Sequence, residues 1–208
     1  MVLPKIVYLF VFTSLSDWEI GYATTGINNP MMQVNPEKYL VKTFSIDGKP
    51  IITMGGLKIT PDLSIDDVTL SNAEMLILPG GLSWNEGANQ EVLFLAQKFH
   101  ESQIKVAAIC GATLGLAKTG LLDSVKHTSN SIDYIKISEY HGSKNYQHTL
   151  VANDKGIITA SGTASLEFAR EIFQELEIYK KEVLEAWYKS FKTGSLEAYG
   201  ELVKALDA

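Results

Sequence analysis

The only cysteine of this chain lies where an apolar run meets a glycine-containing turn. In VAAICGATLG, residues 106–115, four small or apolar residues precede Cys110, and Gly111 and Ala112 follow it. Free cysteine is among the residue types most often buried, so Cys110 can be a small core residue. It can equally be a nucleophile held at the end of a strand, because a thiolate attacks carbonyl carbons.

A nucleophile at a strand-to-helix junction has requirements that this stretch meets. Its backbone is strained and exposed, so its neighbours must be small, as Gly111 and Ala112 are. The start of the following helix carries partial positive charge, which favours the thiolate over the thiol. The Gly111 amide would point toward an oxyanion formed on a substrate bound at Cys110. On these residues alone, the nucleophile and the buried core residue are equally supported.

Short apolar runs alternate with helical patterns along the first 120 residues. Buried strands are predicted at 5–12, 39–46, 75–78 and 105–110, and helices at 14–29, 90–102 and 112–119. Continuous apolar strands in this alternation predict a mostly parallel sheet covered by helices on both faces. Ligand sites of such sheets lie beyond the carboxyl ends of the strands. Three stretches occupy those ends: 14–19, 80–84 and 110–113.

The remaining patterns predict shorter elements and a helical end. Hairpins are predicted at 51–59 and around Asp154 and Lys155, a short strand at 125–129, and helices at 131–137, over most of 164–191 and at 196–206. Within 164–191, the spacing predicts i,i+4 ion pairs of Glu177 with Lys181 and of Glu185 with Lys189.

Two side-chain patterns predict helical features. Val183, Trp187 and Phe191 form an apolar stripe of the kind that more often faces a core than a ligand. Ser16 and Glu19 have the spacing of a capping box, which would mark the start of the first helix.

The bulk composition excludes several classes of function. A length of 208 residues suits one α/β domain, and the net charge of −6 without a basic stripe argues against nucleic acid or an anionic membrane as partner. No apolar stretch is long enough to span a membrane. One cysteine excludes an internal disulfide and any zinc site built on two or more cysteines. No HExxH or other metal-binding spacing occurs, so we expect no metal and no other cofactor. A reducing cytoplasm is the simplest compartment.

Four segments, taken in order, resemble one known family. The segment AAICGATLGLAKTGLLDSVKHTSN resembles the nucleophile elbow of the ThiJ/PfpI family, within the class I glutamine amidotransferase-like superfamily. LILPGG resembles its strand and glycine turn, DWE at 17–19 its first-helix acidic signature, and GIITASGTASLEFAREIFQEL its last strand and following helix. Together these cover most of residues 5 to 176. The resemblance implies a flavodoxin-like, mostly parallel sheet sandwiched by helices, with a cysteine nucleophile elbow. We predict a single domain over 1–208, with 179–208 as a C-terminal helical extension.

The resemblance implies roles for individual residues. The reactive cysteine of the family corresponds to Cys110. The first-helix glutamate that approaches it, thought to share a proton with the sulfur and to favour the thiolate, corresponds to Glu19. Gly80 and Gly81 are expected to offer a backbone amide opposite Gly111, so that two donors hold an oxyanion. The same two glycines also fit a turn that needs positive φ.

Three further residues are candidates for the pocket around the cysteine. Trp84 would line the pocket or pack in the core. Family members place a histidine either directly after the cysteine, where this chain has Gly111, or in a Thr-Thr-His-like stretch, where this chain has Asn130. An amide can orient a substrate or water but cannot accept a proton as imidazole does. His127, three residues earlier, is a possible substitute only if the strand is irregular, because on a regular strand it faces the opposite way.

Three functions follow as hypotheses. The first is a cysteine-dependent hydrolase, of peptidase, amidase or glyoxal-hydrating and deglycating type, acting on a small-molecule or peptide substrate through the Cys110 thiolate. The second is a non-catalytic sensor of oxidative stress, or a protective protein, that works through oxidation of Cys110. The third is an amidotransferase-like domain without glutaminase activity. The family resemblance also implies a homodimer.

Overall fold

The central feature of the fold is a seven-stranded sheet. The structure, a computed structural model, describes residues 3–207, so the ends of the predicted domain at residues 1, 2 and 208 lie outside the described residues. Nine strands occur in the described chain: β1 Lys5–Phe10, β2 Tyr39–Ser45, β3 Ile51–Ile52, β4 Lys58–Ile59, β5 Leu63–Ser64, β6 Ala73–Leu78, β7 Lys105–Ile109, β8 Val151–Asp154 and β9 Ile157–Ala160. The large sheet has the order β5-β2-β1-β6-β7-β9-β8, and only β8 runs antiparallel to its neighbour.

Helices cover both faces of this sheet, as the apolar strand runs predict. The helices are α1 Gly21–Asn28, α2 Gln90–Glu101, α3 Gly111–Lys118, α4 Ile132–Ile135, α5 Ser165–Glu175, α6 Lys181–Thr193 and α7 Leu196–Leu206. The apolar stretches 75–78 in β6 and 106–109 in β7 are wholly shielded from solvent on both faces. The predicted flavodoxin-like, mostly parallel sheet is therefore confirmed, as are both hairpins, β3–β4 and β8–β9.

The strand order brings the three predicted stretches together. Strands β1, β6 and β7 are neighbours and run parallel, so Phe10, Leu78 and Ile109 end at the same edge. The segments that follow them contain two short 3₁₀ turns, Asp17–Glu19 and Leu82–Trp84, and the start of α3. The carboxyl edge of the central sheet is therefore where the residues of interest meet.

Three predicted elements differ from the structure because long-range contacts override local pattern. The helix predicted at 14–29 is a 3₁₀ turn at Asp17–Glu19 followed by α1, and Leu15 forms an isolated bridge with Gly81. The stretch 125–129 is not a strand; its one ladder contact is an isolated bridge between His127 and Tyr146. The long helix predicted over 164–191 is divided by a turn between α5 and α6, where Glu177 adopts the left-handed conformation with φ of 52°.

The predicted ion pairs along that helix do not form. Glu177 lies in the turn rather than in a helix with Lys181. Glu185 pairs instead with Arg170 of α5 at 2.5 Å, and Lys189 with Glu201 of α7 at 2.7 Å. The turn folds α6 back on α5, which brings partners from other helices closer than those one turn away.

Helix α6 packs onto α1 and α5 through aromatic contacts. The ring of Trp187 lies 6.1 Å from that of Tyr22 on α1 and 5.1 Å from that of Phe173 on α5, centroid to centroid. Val183 and Trp187 are buried, as the stripe predicts, whereas Phe191 is 53% exposed. Between residues 3 and 207, every helix is too short or too polar to cross a bilayer.

Candidate active site

Cys110 occupies a strained junction between β7 and α3. Its backbone has φ of 57° and ψ of −122°, a conformation that costs a residue with a side chain on the order of 1–3 kcal/mol. The Cys110 amide donates to the Ala160 carbonyl on β9 at 3.0 Å, and the Cys110 carbonyl accepts from the Thr113 hydroxyl at 2.6 Å. Strand and helix thus impose the strain, and the predicted strand-to-helix elbow is present at Cys110.

Two glycines leave room for the cysteine side chain. A Cβ atom at Gly80 would lie 2.6 Å from the Cys110 Cβ and 2.7 Å from Oε2 of Glu19, and one at Gly162 would lie 2.7 Å from the Cys110 Sγ. Neither Gly80 nor Gly81 adopts the left-handed conformation; Gly81 is extended, with φ of 162° and ψ of 172°. The expectation of a positive-φ turn is therefore wrong, and close approach of neighbouring groups explains the glycines instead.

Glu19 brings a buried carboxyl group to the cysteine. Its side chain is 1% exposed, and Oε2 accepts a 2.5 Å hydrogen bond from the Gly80 amide, while Oε1 has no hydrogen-bond partner among residues 3–207. Burial raises the pKa of Glu19 to about 7, against smaller opposite effects of the Gly80 amide and of the nearby Cys110 and Ser16 side chains. The capping box does not form, because the carboxyl turns to the Gly80 amide and the Ser16 side chain caps no amide of the turn.

The thiol does not have the lowered pKa that the start of α3 predicts. Burial, and then the charge of Glu19, raise the pKa of Cys110 to about 11, against smaller opposite effects of Asn130 and the Gly111 amide. Ionising the thiol would place a second negative charge beside the Glu19 carboxylate in a buried site. The free energy that this costs is larger than the stabilisation that the start of α3 provides. Between the pKa of Glu19, about 7, and that of Cys110, about 11, the pair carries one negative charge. This charge lies mainly on Glu19, while the sulfur keeps its proton.

Asn130, at the position where the resemblance implies a histidine, contacts the sulfur. Its Nδ2 donates to Cys110 Sγ at 3.4 Å, and its Oδ1 accepts from the Gly162 amide at 2.9 Å. The second bond fixes which end of the amide faces the sulfur. Asn130 therefore offers the site a hydrogen-bond donor and no proton acceptor.

His127 lies away from the pocket, which corrects its assignment as a pocket residue. It is fully buried, its Nδ1 is 2.8 Å from the Val125 carbonyl, and its Nε2 is hydrogen-bonded to the Tyr140 hydroxyl. Burial lowers its pKa, so it is neutral at physiological pH. Both ring nitrogens are engaged on the far side of the segment, as the alternation of side chains along an extended chain requires.

Trp84 is a core residue beneath the elbow and does not line a pocket. It is 1% exposed, and its indole N–H donates to the Pro79 carbonyl at 2.8 Å. A Cβ atom at Gly111 would lie 3.0 Å from the Trp84 ring, so the first turn of α3 rests directly on the indole. The core interpretation of Trp84 is the one that holds.

The two glycines predicted to supply oxyanion donors are close to each other. The Gly111 amide is at the first position of α3 and stabilises charge on the sulfur. The Gly81 carbonyl oxygen would be 3.0 Å from a Cβ atom at Gly111. The Gly80 amide is not available, since it is bonded to Glu19. No group of three or more potential metal ligands occurs in the described part of the chain.

Sequence reasoning missed four residues at the rim of the site. The Trp18 indole donates to the Gly162 carbonyl at 3.2 Å, and the Tyr134 hydroxyl donates to Asn85 Oδ1 at 2.6 Å. Gly162 was detectable, because it follows the carboxyl end of a predicted strand. The side chains of Asn85, Trp18 and Tyr134 carry no local signal, since their partners are 49 to 144 residues away.

The comparisons with known proteins agree with this fold. The family model described as the DJ-1/PfpI family matches residues 5–175. A relative named "Uncharacterized protease YoaZ", from Bacillus subtilis (strain 168), is 39% identical over 204 residues, 97% of each protein. A crystal structure of a ThiJ/PfpI family protein from Bacillus anthracis has 38% identity and a TM-score of 0.91, covering 99% of this chain and 98% of that one. A DJ-1 superfamily protein from Agrobacterium tumefaciens has 30% identity and a TM-score of 0.83, covering 91% and 98%. The chain belongs to the DJ-1/PfpI family.

Proposed function

We propose that this protein is a cysteine-dependent hydrolase that uses Cys110 as nucleophile and Glu19 as its base. The observation that carries the proposal is the pairing of a strained elbow cysteine with a buried carboxyl group that titrates at about pH 7. A base poised near the working pH is the most effective proton carrier. The name of the relative YoaZ, an uncharacterized protease, also supports hydrolysis.

The first step is addition of the thiol to a carbonyl group. A bond forms between Cys110 Sγ and the carbonyl carbon, the thiol proton passes to the Glu19 carboxylate, and the π electrons of the carbonyl move to its oxygen. The amides of Gly81 and Gly111 are the donors proposed for that oxyanion. Because the proton leaves as the sulfur attacks, a thiol with a pKa of about 11 is compatible with this step.

The second step depends on the substrate. With an amide, the carbon–nitrogen bond breaks and the proton now on Glu19 goes to the leaving amine. Water then adds to the resulting thioester, with the Glu19 carboxylate accepting its proton; the carbon–sulfur bond breaks, and Glu19 returns that proton to the Cys110 sulfur. With an aldehyde, the oxyanion takes the proton back from Glu19 to give a hemithioacetal. With a 2-oxoaldehyde such as methylglyoxal, the Glu19 carboxylate then moves the proton of the sulfur-bearing carbon to the neighbouring carbon through an enediol, and water cleaves the resulting thioester in the same way. Asn130 holds the sulfur in either case, and its amide takes no part in proton transfer.

The test measures turnover of methylglyoxal and of a fluorogenic peptide amide. We expect activity of the native protein on at least one substrate, no activity in Cys110→Ala, and a loss of at least about 100-fold in Glu19→Gln. The matched control is Glu91→Gln, which removes the charge of an exposed glutamate on α2. Equal activity of Cys110→Ala and the native protein would refute the proposal.

A redox role of Cys110 is the second candidate. It is supported by the partial exposure of Cys110 and by the lack of a histidine bonded to its sulfur among residues 3–207. The raised thiol pKa opposes it, because peroxide oxidises the thiolate and little thiolate exists at neutral pH. No turnover of either substrate, together with fast oxidation of Cys110 by peroxide, would favour the sensor over the hydrolase.

A further inference from the structure

Gly162, in the loop that follows β9, lies directly against the cysteine. A Cβ atom at this position would be 2.7 Å from Cys110 Sγ and 2.9 Å from Cys110 Cβ, so a residue with a side chain does not fit there. Glycine has more conformational freedom than any other residue, and this one is in a partly exposed loop. The backbone that touches the sulfur therefore needs other groups to hold it in place.

Side chains hold Gly162 from both of its peptide groups. The Gly162 amide donates to Asn130 Oδ1 at 2.9 Å, and the Gly162 carbonyl accepts from the Trp18 indole at 3.2 Å. The neighbouring Ser161 amide bonds instead to a backbone group, the Leu150 carbonyl, at 3.0 Å. Because the two planar peptide groups meet at the Gly162 Cα atom, the two side-chain bonds together restrict its φ and ψ.

Trp18 presents its indole from a backbone that is anchored on both sides. The preceding residue, Asp17, accepts from the Gly55 amide through Oδ2 at 2.7 Å. The following residue, Glu19, accepts from the Gly80 amide through Oε2 at 2.5 Å. Trp18 itself is 58% exposed, so it contributes little to the core. Its hydrogen bond across 144 residues of sequence is therefore the contact that needs an explanation.

The bonds of Gly162 continue to the sulfur through one side chain. With its Oδ1 on the Gly162 amide, Asn130 directs Nδ2 at Cys110 Sγ, at 3.4 Å. This donor favours the thiolate and so opposes the rise in the pKa of Cys110. If the Gly162 backbone rotates, the Asn130 amide loses the bond that orients it, and the sulfur loses its donor.

We infer that Trp18 is a positioning residue for Cys110, because its bond to the Gly162 carbonyl holds the Asn130 amide against the sulfur. The consequence for turnover rests on the proposed function, whereas the consequence for the thiol rests only on these contacts. Phenylalanine at position 18 keeps an aromatic ring and removes the indole N–H. Trp18→Phe should therefore weaken the bond from Asn130 to the sulfur and leave both residues of the reactive pair in place.

The experiment is a double-mutant cycle of Trp18→Phe and Asn130→Ala. Its readouts are the rate at which Cys110 reacts with iodoacetamide from pH 6 to 9, and kcat/KM for methylglyoxal and for a fluorogenic peptide amide. We expect Trp18→Phe to lower the alkylation rate about fivefold at each pH, the factor set by one hydrogen bond, because less thiolate is present. Asn130→Ala removes the donor itself and should lower the rate about tenfold. Adding Trp18→Phe to Asn130→Ala should change the rate by less than about twofold, since the group through which Trp18 acts is already gone.

Hydrogen exchange of the Gly162 amide, followed by NMR, reports directly on the bond between Gly162 and Asn130. We expect faster exchange in Trp18→Phe than in the native protein, because the Gly162 backbone is held from one side only. The matched control is Tyr199→Phe, which removes a donor from an aromatic side chain on α7 that is also 58% exposed. It should leave both the exchange and the alkylation rate unchanged.

The cycle separates this inference from the proposed function. An equal loss on Trp18→Phe in both backgrounds would mean that Trp18 affects access to Cys110 and not the Asn130 amide, and the inference would be wrong. An alkylation rate of Trp18→Phe within about twofold of the native rate would overturn it as well. If the native protein turns over neither substrate but the alkylation rates show the expected coupling, the positioning role of Trp18 holds and the hydrolase proposal fails. Circular dichroism spectra check that each variant is folded.

Discussion

Replacing Glu19 by glutamine should stabilise the protein at alkaline pH while it removes the proposed base. In the folded protein burial raises the pKa of Glu19 from 4.5 to about 7. Below pH 4.5 the carboxyl is protonated in both the folded and unfolded states and has no ionisation cost. Above pH 7 it is ionised in both, and the folded state bears the cost of a buried charge. Its favourable contribution is therefore complete at low pH and is lost as the pH rises through 4.5 to 7.

The magnitude follows from the two pKa values. Each tenfold difference in proton affinity corresponds to about 1.4 kcal/mol, so the rise from 4.5 to about 7 corresponds to about 3 kcal/mol. Glutamine keeps an oxygen that can accept from the Gly80 amide, and it has no charge to bury. The difference in unfolding free energy between Glu19→Gln and the native protein should shift by about 3 kcal/mol in favour of the variant between pH 4 and pH 8.

Urea denaturation of both proteins at several pH values from 4 to 8 measures this difference. The dependence of the unfolding free energy on urea concentration should be the same at each pH, so that the values can be compared. Glu91→Gln, which removes an exposed glutamate on α2, is the control, and its difference from the native protein should change little over the same range. If the Glu19→Gln difference is flat with pH, or moves in the other direction, Glu19 is not a buried acid with a raised pKa. The proposal that it takes the thiol proton near neutral pH would then lose its basis.

The remaining predictions concern the close contacts at Gly80 and the ionisation of His127. Gly80→Ala should destabilise the protein by about 1–3 kcal/mol and slow alkylation of Cys110, because its Cβ would lie 2.6 Å from that of Cys110. The control Gly200→Ala lies inside α7, with no atom of another element within 4 Å of the new Cβ, and should stabilise the protein by about 0.5–1 kcal/mol. Thermal denaturation of both variants gives the signs of the two changes. Equal effects would show that the contacts at Gly80 are unimportant. For His127, burial lowers the pKa from 6.5, so the contribution of this side chain to the free energy of unfolding should be lost as the pH falls below about 6.5. His127→Gln should not share this loss in urea titrations between pH 7 and 5, and parallel pH profiles of the two proteins would contradict the neutral, buried histidine.

Much of the fold was predictable because its signals are local. The apolar runs of β6 and β7 are long enough to require burial on both faces, and strand–helix alternation then favours a parallel sheet. The helix at 196–206 was predicted with the bounds that the structure has, because its charge and apolar spacing agree with its Ser195 cap. The elbow was predictable for a similar reason, since small residues after an apolar strand and a lone cysteine are visible in the sequence.

The predictions failed where a local pattern competes with a distant partner. Ser16 and Glu19 have the spacing of a capping box, but the Gly80 amide, 61 residues away, takes the carboxylate. Glu185 has Lys189 one turn away, but Arg170 on another helix pairs with it. In each case spacing along the chain identifies a possible partner, and only the packed structure decides which partner is nearer.

The sequence by itself determined the order of strands and helices, the family, and the residue at the elbow, because these depend on periodicity and on residue types that are adjacent in the chain. The tertiary structure alone decided the ionisation of the site. The pKa values of Cys110 and Glu19 depend on how deeply two residues 91 positions apart are buried together, with Asn130 rather than His127 against the sulfur. Burial and separation in space have no counterpart in residue order, so the proton's place between sulfur and carboxylate follows only from the folded chain.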